Sequence, residues 1–330
     1  MNGLVAEWSR MRNVRLGLSI PSASSRPFDV VGFGLNSVDL LVVVAEYPAS
    51  NSKQRLQRFM HLPGGQIATA LTVCARLGWR ATYIGAFGAD DLGTISRNSL
   101  LADQIDLSAA RTIAGATNQF AVILVDARSG ARTVLWDRHP LLAWDPADMP
   151  REAVTSGRML LLDCHETAAA TQAARYAREA GVPSVLDVEK VRPGIVDLLQ
   201  QIDIIIAAQE FPSALTGHEE PGRALEAMSR EFPAHVVCLT LGEEGSLARC
   251  HGREIRTRGF QVDCVDTTGA GDVFRGAFAA GCLRQPDADV EDLLTYANAV
   301  AALNCRALGA RGGIPTEREI EELLWARQRM

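Results

Sequence analysis

The chain reads as an α/β protein, a three-layer α/β/α sandwich around a mainly parallel central sheet with a small β-sheet lid. Three observations predict this. From residue 28 onward strand-like and helix-like segments alternate, the pattern of a parallel sheet covered by helices on both faces. Early in that pattern three segments break the rhythm with strand character, which supplies the lid. Near the end, a glycine-rich turn opens directly into an amphipathic helix (Val273 to Leu283), the arrangement by which α/β folds seat phosphate.

Taken in order, residues 1–27 carry Arg10, Arg12, Arg15, Arg26 and several serines without a continuous apolar stretch. They read as a flexible extension and not as a secretory signal. Phe28 to Gly34 is a buried strand. Gly65 to Leu77 is a helix that stops at Gly78. A strand over Thr82 to Ala86 precedes a helix over Asp91 to Asp103. Further along come strand Met159 to Asp163, helix Ala168 to Gly181, and strands Ser184 to Asp187, Ile202 to Ala207 and Val236 to Leu241. The exceptions are Leu40 to Ala45, Gln54 to His61, and the pair Phe120 to Val125 and Arg132 to Trp136, expected as antiparallel strands. The last two are joined by the loop Asp126 to Ala131. The division expected is an extension (1–27), one large domain (28–315, lid strands near 38–62 and 118–137) and a C-terminal helix (316–330).

Composition narrows the function. Formal charge is −6, which discourages a nucleic-acid partner. The longest apolar run, around Val38 to Ala45, is too short to cross a bilayer. Seven cysteines are scattered with no Cys-x-x-Cys pair, as in reduced, packed thiols of a cytoplasmic protein. No Gly-x-x-x-x-Gly-Lys-Ser/Thr loop occurs. Gly32-Phe33-Gly34-Leu35-Asn36-Ser37 imitates a dinucleotide fingerprint, but β-like residues follow where that motif needs a helix.

The chemistry concentrates in Asp266-Thr267-Thr268-Gly269-Ala270-Gly271-Asp272. Backbone amides can converge there unobstructed at a helix N-terminus, which attracts anions. A carboxylate, Asp272, stands beside that seat, and cradled phosphate with an adjacent base is what phosphoryl transfer to a hydroxyl requires. The same residues also read as a plain turn in which Asp272 only complements the helix dipole.

Four ordered stretches resemble the PfkB/ribokinase family of small-molecule kinases. They are the seven residues above with Phe274, Gly276 and Ala277; Gly64-Gly65 before a helix ending in Leu77-Gly78; Gly85 to Gly93; and Thr240-Leu241-Gly242-Glu243-Glu244-Gly245. The resemblance runs from about Phe28 to about Pro315, with features of its ketohexokinase and sulfofructose kinase branches. It implies a ribokinase-like fold and an ATP-dependent kinase acting on a primary hydroxyl of a sugar or sugar derivative, a ketose favoured. A nucleoside kinase of the same fold and a sugar-binding pseudokinase are the alternatives.

By that resemblance Asp272 is the catalytic base, and Gly269, Ala270 and Gly271 supply amides to the transferred phosphoryl group. Asp39, Asn36, Gly64, Gly65, Thr69, Arg138 and His165 fall on the acceptor side. Thr240, Gly242, Gly245, Thr267, Asn298 and Lys190 fall on the nucleotide side. Mg²⁺ bridges the ATP phosphates. The family's Asn-x-x-Glu is absent, and Glu210 in Ala208-Gln209-Glu210-Phe211 is the substitute ligand. Asp266, Thr268 and Gly309 resemble a loop that holds a monovalent cation, K⁺, in some members. The lid of such proteins often forms a homodimer contact.

Overall fold

The structure, a computed structural model, describes residues 14–129 and 131–328. In chain order its strands begin with β1 (Val30–Phe33), β2 (Ser37–Val44), β3 (Arg58–Gly64), β4 (Ala81–Ile84), β5 (Ala86–Gly88), β6 (Arg111–Ile113) and β7 (Phe120–Asp126). They continue with β8 (Arg132–Asp137), β9 (Met159–Asp163), β10 (Ser184–Val188), β11 (Ile204–Ala207), β12 (Val236–Thr240), β13 (Ser246–Cys250) and β14 (Arg253–Thr257). The helices are α1 (Gln66–Arg76), α2 (Asp91–Ala102), α3 (Arg151–Val154), α4 (Thr167–Glu179) and α5 (Ile195–Leu199), then α6 (Phe211–Thr216), α7 (Pro221–Glu231), α8 (Ala270–Arg284), α9 (Val290–Asn304) and α10 (Glu317–Gln328).

The central sheet runs β14-β13-β12-β11-β10-β9-β1-β4. Strands from β4 to β12 are parallel neighbours, and only β13 and β14 join antiparallel at the edge. Strands buried on both faces need apolar residues on both, and Met159-Leu160-Leu161-Leu162 and Ile204-Ile205-Ile206 are such runs. One core holds Ile67, Leu71, Phe274, Phe278 and Leu294 beneath α1, α8 and α9. A second core on the opposite face holds Ala173, Leu198, Phe211 and Leu225 beneath α4 to α7. The chain leaves β1 for β4 on one side while β9 pairs on the other, and the crevice outside the strand ends at such a reversal is the usual ligand site.

The lid is a four-stranded sheet, β3-β2-β7-β8. Two of its pairings are antiparallel as expected, but β2 and β7 run parallel, because the chain crosses the core between them. Of the lid strands, β2 starts three residues earlier than the sequence suggests, β3 lies further along the chain than expected, and β7 and β8 each run one residue longer. Part of the turn joining β7 to β8, Gly130, lies outside the described residues.

The expectation of a flexible stretch over 1–27 needs correcting for residues 14–27; residues 1–13 lie outside the described residues. Val14 and Leu16 are buried in the first core, Arg15 forms a β-bridge with Asp289, and Arg158 Nε donates to Pro21 O at 2.7 Å. Burial of these apolar side chains opposes the ordering entropy of the segment.

Candidate active site

The turn before α8 is built on Gly269, whose φ of 72° is left-handed and whose Cα faces Ala310, so that an added Cβ would approach Ala310 Cβ to 2.6 Å. No side chain caps this helix. The Ala270 amide donates to Thr267 O at 3.2 Å and is therefore spent on the turn. Among the described residues, the amides of Gly269, Gly271 and Asp272 have no protein acceptor. An open helix N-terminus of this kind is a seat for anionic oxygen.

Asp272 stands at the mouth of that turn with 14% of its side-chain surface exposed. Burial is the main reason its carboxyl is pushed up to about 7. Arg275 opposes the rise, and the nearby carboxylates Glu189, Asp39 and Asp163 add to it. A carboxylate that ionises near neutrality is matched to accepting a hydroxyl proton.

Two cavities meet at the turn. The larger, about 490 Å³, lies under the lid and includes Asp39, Gly65, His165, Glu189, Gly269 and Asp272 in its lining. The smaller, about 260 Å³, lies between Gly242, Gly259, Thr267, Asn298 and Cys305, with Ala270 in its wall. The turn thus separates a polar cleft from a more apolar pocket.

On the lid side, Asp39 is buried on β2, and desolvation raises its carboxyl to about 6. Ser37 Oγ donates to it at 3.4 Å. Gly64 packs so closely that a Cβ there would come within 2.7 Å of Asp39 Oδ2. Gly65 begins α1 and faces the same cleft. His165 lines it too, with its ring nitrogen 3.4 Å from Arg192 Nη2, and burial is the first reason its imidazole is shifted towards the neutral form.

Several sequence-nominated residues are occupied elsewhere. Asn36 donates to Tyr83 Oη and Ala86 O, both at 2.8 Å, and accepts from Ser96 Oγ at 2.9 Å. Thr69 is buried and accepts from Arg311 Nε. Arg138 is tied to Glu166 Oε1 at 2.6 Å and to Leu142 O at 2.9 Å, outside the cleft lining. Gly245 serves packing, since a Cβ would meet Thr257 O at 2.2 Å. Thr240 Oγ1 faces Ala207 O at 3.4 Å. Lys190 lines the lid-side cleft and not the smaller pocket. Gly242, Thr267 and Asn298 do line the smaller pocket, and Asn298 Nδ2 is held by Ser246 and Thr257 hydroxyls.

For metals, Glu210 is exposed and lines neither cavity. Glu189 is a carboxylate that does face the cleft and acts on Asp272; it could hold Mg²⁺, which needs only one or two carboxylates when phosphates supply the rest. In the loop expected to hold a monovalent cation, Asp266 accepts from the amides of Thr268 at 2.9 Å and Gly309 at 2.8 Å. Arg132 Nη1 adds a bond to Thr268 Oγ1 and a longer ion pair to Asp266. That carboxylate therefore closes its own loop. Arg311 went unnoticed in the sequence: buried, it donates to Gly64 O at 2.6 Å, to Thr69 Oγ1 and to Ser99 Oγ, holding the Gly64-Gly65 backbone in place. Only its position ahead of Gly312-Gly313 hinted at a role.

An open helix mouth with a near-neutral carboxylate, set between a lidded cleft and a smaller, more apolar pocket, is the arrangement of small-molecule phosphotransferases. Residues 28–317 match the pfkB family carbohydrate kinase model, and the chain belongs to that family. It is 27% identical over 293 residues to the ribokinase of Bacillus subtilis, covering 88% of this chain and 97% of that one. It is 26% identical over 320 residues to fructokinase-1 of Oryza sativa subsp. japonica, covering 89% and 97%. The structure superposes on Arabidopsis thaliana ribokinase complexed with ribose and ATP with a TM-score of 0.80 at 25% identity, covering 90% and 98%. The fold is ribokinase-like.

Proposed function

We propose that this carbohydrate kinase transfers the γ-phosphoryl group of ATP to a sugar hydroxyl held under the lid, with Asp272 as base. The observation that carries the reading is the junction: Gly269 and Asp272 line the lidded cleft while Thr267 and Ala270, in the same turn, line the smaller pocket. Adenine and ribose fit the smaller pocket against Asn298 and Gly242. The triphosphate then points at the free amides of Gly271 and Asp272, which stabilise charge on the transferring group. On the other side Asp39 accepts hydrogen bonds from acceptor hydroxyls, and Asp272 takes the proton of the attacking one. Glu189, which lines the cleft, would hold Mg²⁺ there, and the ion would supply charge neutralisation for the nucleotide.

An ADP-release assay against aldoses, ketoses, sugar phosphates and nucleosides tests this. Turnover with a sugar is expected, ketoses being favoured over aldoses, and Asp272→Asn should lower kcat by three or more orders of magnitude with ATP affinity unchanged. Undiminished turnover in that variant removes Asp272 as base. Preference for a nucleoside redirects the acceptor assignment, and sugar binding without turnover makes the chain a sensor. Replacing K⁺ with Na⁺ or tetramethylammonium in the same assay tests the monovalent-cation loop.

The outer face of the lid supports a homodimer. Cross-strand rows Phe59, Val42, Leu124 and His61, Leu40, Val122, Leu135 place apolar residues on one face, and Phe59 and Leu135 are 54% and 62% exposed. A second copy would cover that face. Among the described residues no helix is long and apolar enough to cross a membrane. All seven cysteines are free, which suits a reducing, ATP-rich cytoplasm.

A further inference from the structure

Three residues beyond Asp272 on α8, Arg275 is buried, with 5% of its side-chain surface exposed. A guanidinium withdrawn from water is expensive unless paired, so its partners indicate why it is there. Nη2 lies 2.6 Å from Asp187 Oδ1 at the end of β10, and Nη1 lies 3.6 Å from Asp272 Oδ1. Asp187 is buried as well, with 3% of its side chain exposed. Neither of its oxygens has an aligned hydrogen-bond donor, so its compensation comes from the proximity of Arg275. The guanidinium also lies directly beneath the phosphate seat: a Cβ on Gly271 would come within 2.6 Å of Arg275 Nη1. Neither Arg275 nor Asp187 lines the lidded cleft or the smaller pocket, and phosphoryl transfer as described above employs neither.

We infer that Arg275, clamped from behind by Asp187, is a positioning residue that fixes the Asp272 carboxylate at the helix mouth and divides one positive charge between two carboxylates. The inference rests on Asp272 being the base. Asp187 is the nearer partner and takes the larger share, which leaves Asp272 under-compensated. The other charged groups around Asp272 are Glu189, Lys190 and Arg192 after β10, Asp163 and His165 at the end of β9, Asp39 on the lid, and Arg311 in the C-terminal loop. All of these stay in place when only the pair is altered.

The test is the pH dependence of kcat/KM in the full-length enzyme, with the best acceptor from the assay above, for wild type, Arg275→Met, Arg275→Lys and Asp187→Asn. Removing the positive charge should move the acidic limb to higher pH, with kcat/KM at pH 6 falling tenfold or more and recovering to within about threefold at pH 9. Asp187→Asn releases the guanidinium to Asp272, so the limb should move the opposite way. Arg275→Lys should keep the limb near its wild-type position. The KM for ATP should stay within about threefold throughout. A uniform loss at every pH, or shifts of the same sign in both charge-removing variants, overturns the inference in favour of a purely structural pair. Should Arg275→Met not fold, an unmoved limb in Asp187→Asn is enough to overturn it. A wild-type enzyme that turns over no acceptor instead sinks the kinase reading, and the inference with it.

Discussion

At the scale of single residues, the proposed base, Asp272, carries a cost that the fold absorbs. Its carboxyl rises from 3.8 to about 7, so the native state holds this proton more tightly than the unfolded chain does. Such a group favours folding below about pH 4, and the benefit is lost as pH climbs through the native value. Relative to an uncharged side chain, the ionised form at pH 8 is worth a penalty on the order of 2–4 kcal/mol. Asp272→Asn should accordingly melt above wild type at pH 8, with the difference vanishing near pH 4. A differential scanning series across that window checks the sign, and equal melting temperatures at pH 8 would show that Asp272 is not desolvated. The residues whose local pattern is self-explanatory were legible in the sequence. Gly269 and Asp272 lie three residues apart in one short motif, and the helix they open follows at once. Arg311, Arg275 and Asp187 were not legible, because their meaning depends on partners at a distance: Arg311 reaches back to Gly64, and Arg275 reaches across to β10. Asn36 and Arg138 illustrate the converse: both have hydrogen-bond partners within the chain that the sequence did not disclose. Polar residues close to a glycine motif or a cleft in sequence can be fully employed in holding the loop that carries them.

At the scale of elements, two helices determine how the halves of the site meet. α8 crosses α1 closely enough that a Cβ on Gly276 would come within 2.5 Å of Ala70 O, and Cys74 Sγ donates to Gly276 O at 3.4 Å. Since Gly65 immediately precedes α1 and α8 starts at Ala270, this crossing fixes the distance from the Gly64-Gly65 backbone to Asp272. Gly276→Val should force the helices apart and cost about 1–3 kcal/mol, together with a loss in kcat larger than the change in ATP affinity. Thermal melts and steady-state kinetics measure both, and a variant with native stability would contradict the tight crossing. The stretch Gly85 to Gly93 likewise proves architectural: Asp90 Oδ1 accepts from Gly93 N to start α2 and from Asn118 N just before β7. One side chain thereby ties the lid to the core. Helix and strand periodicity placed β9 and most core elements to within a residue or two. The lid strands were blurred because half-buried, two-sided segments carry a weak alternation, and the parallel joining of β2 to β7 is a long-range choice that no local pattern records.

At the scale of the whole molecule, the lid has two faces with different duties. The inner one covers the cleft, and the outer one presents Phe59, Leu40, Val42 and Leu135. Leu135→Asp should abolish self-association, read by sedimentation velocity as a shift from about 71 kDa (twice the 35.6 kDa chain) to the single-chain mass, with little effect on melting temperature. A wild-type chain that sediments as a monomer at micromolar concentration would rule out that interface.

The lid also bears on timing. Asp39 rides on β2 whereas Asp272 is anchored to α8, and the two negative groups feel each other across the cleft. Any excursion of the lid outward weakens that repulsion and makes the base a poorer proton acceptor. Docking of the alcohol beneath the sheet restores it. With Asp272 as the proposed base, proton affinity would be greatest when the hydroxyl that must surrender its proton is in place, and water reaching an open cleft would meet a less basic carboxylate.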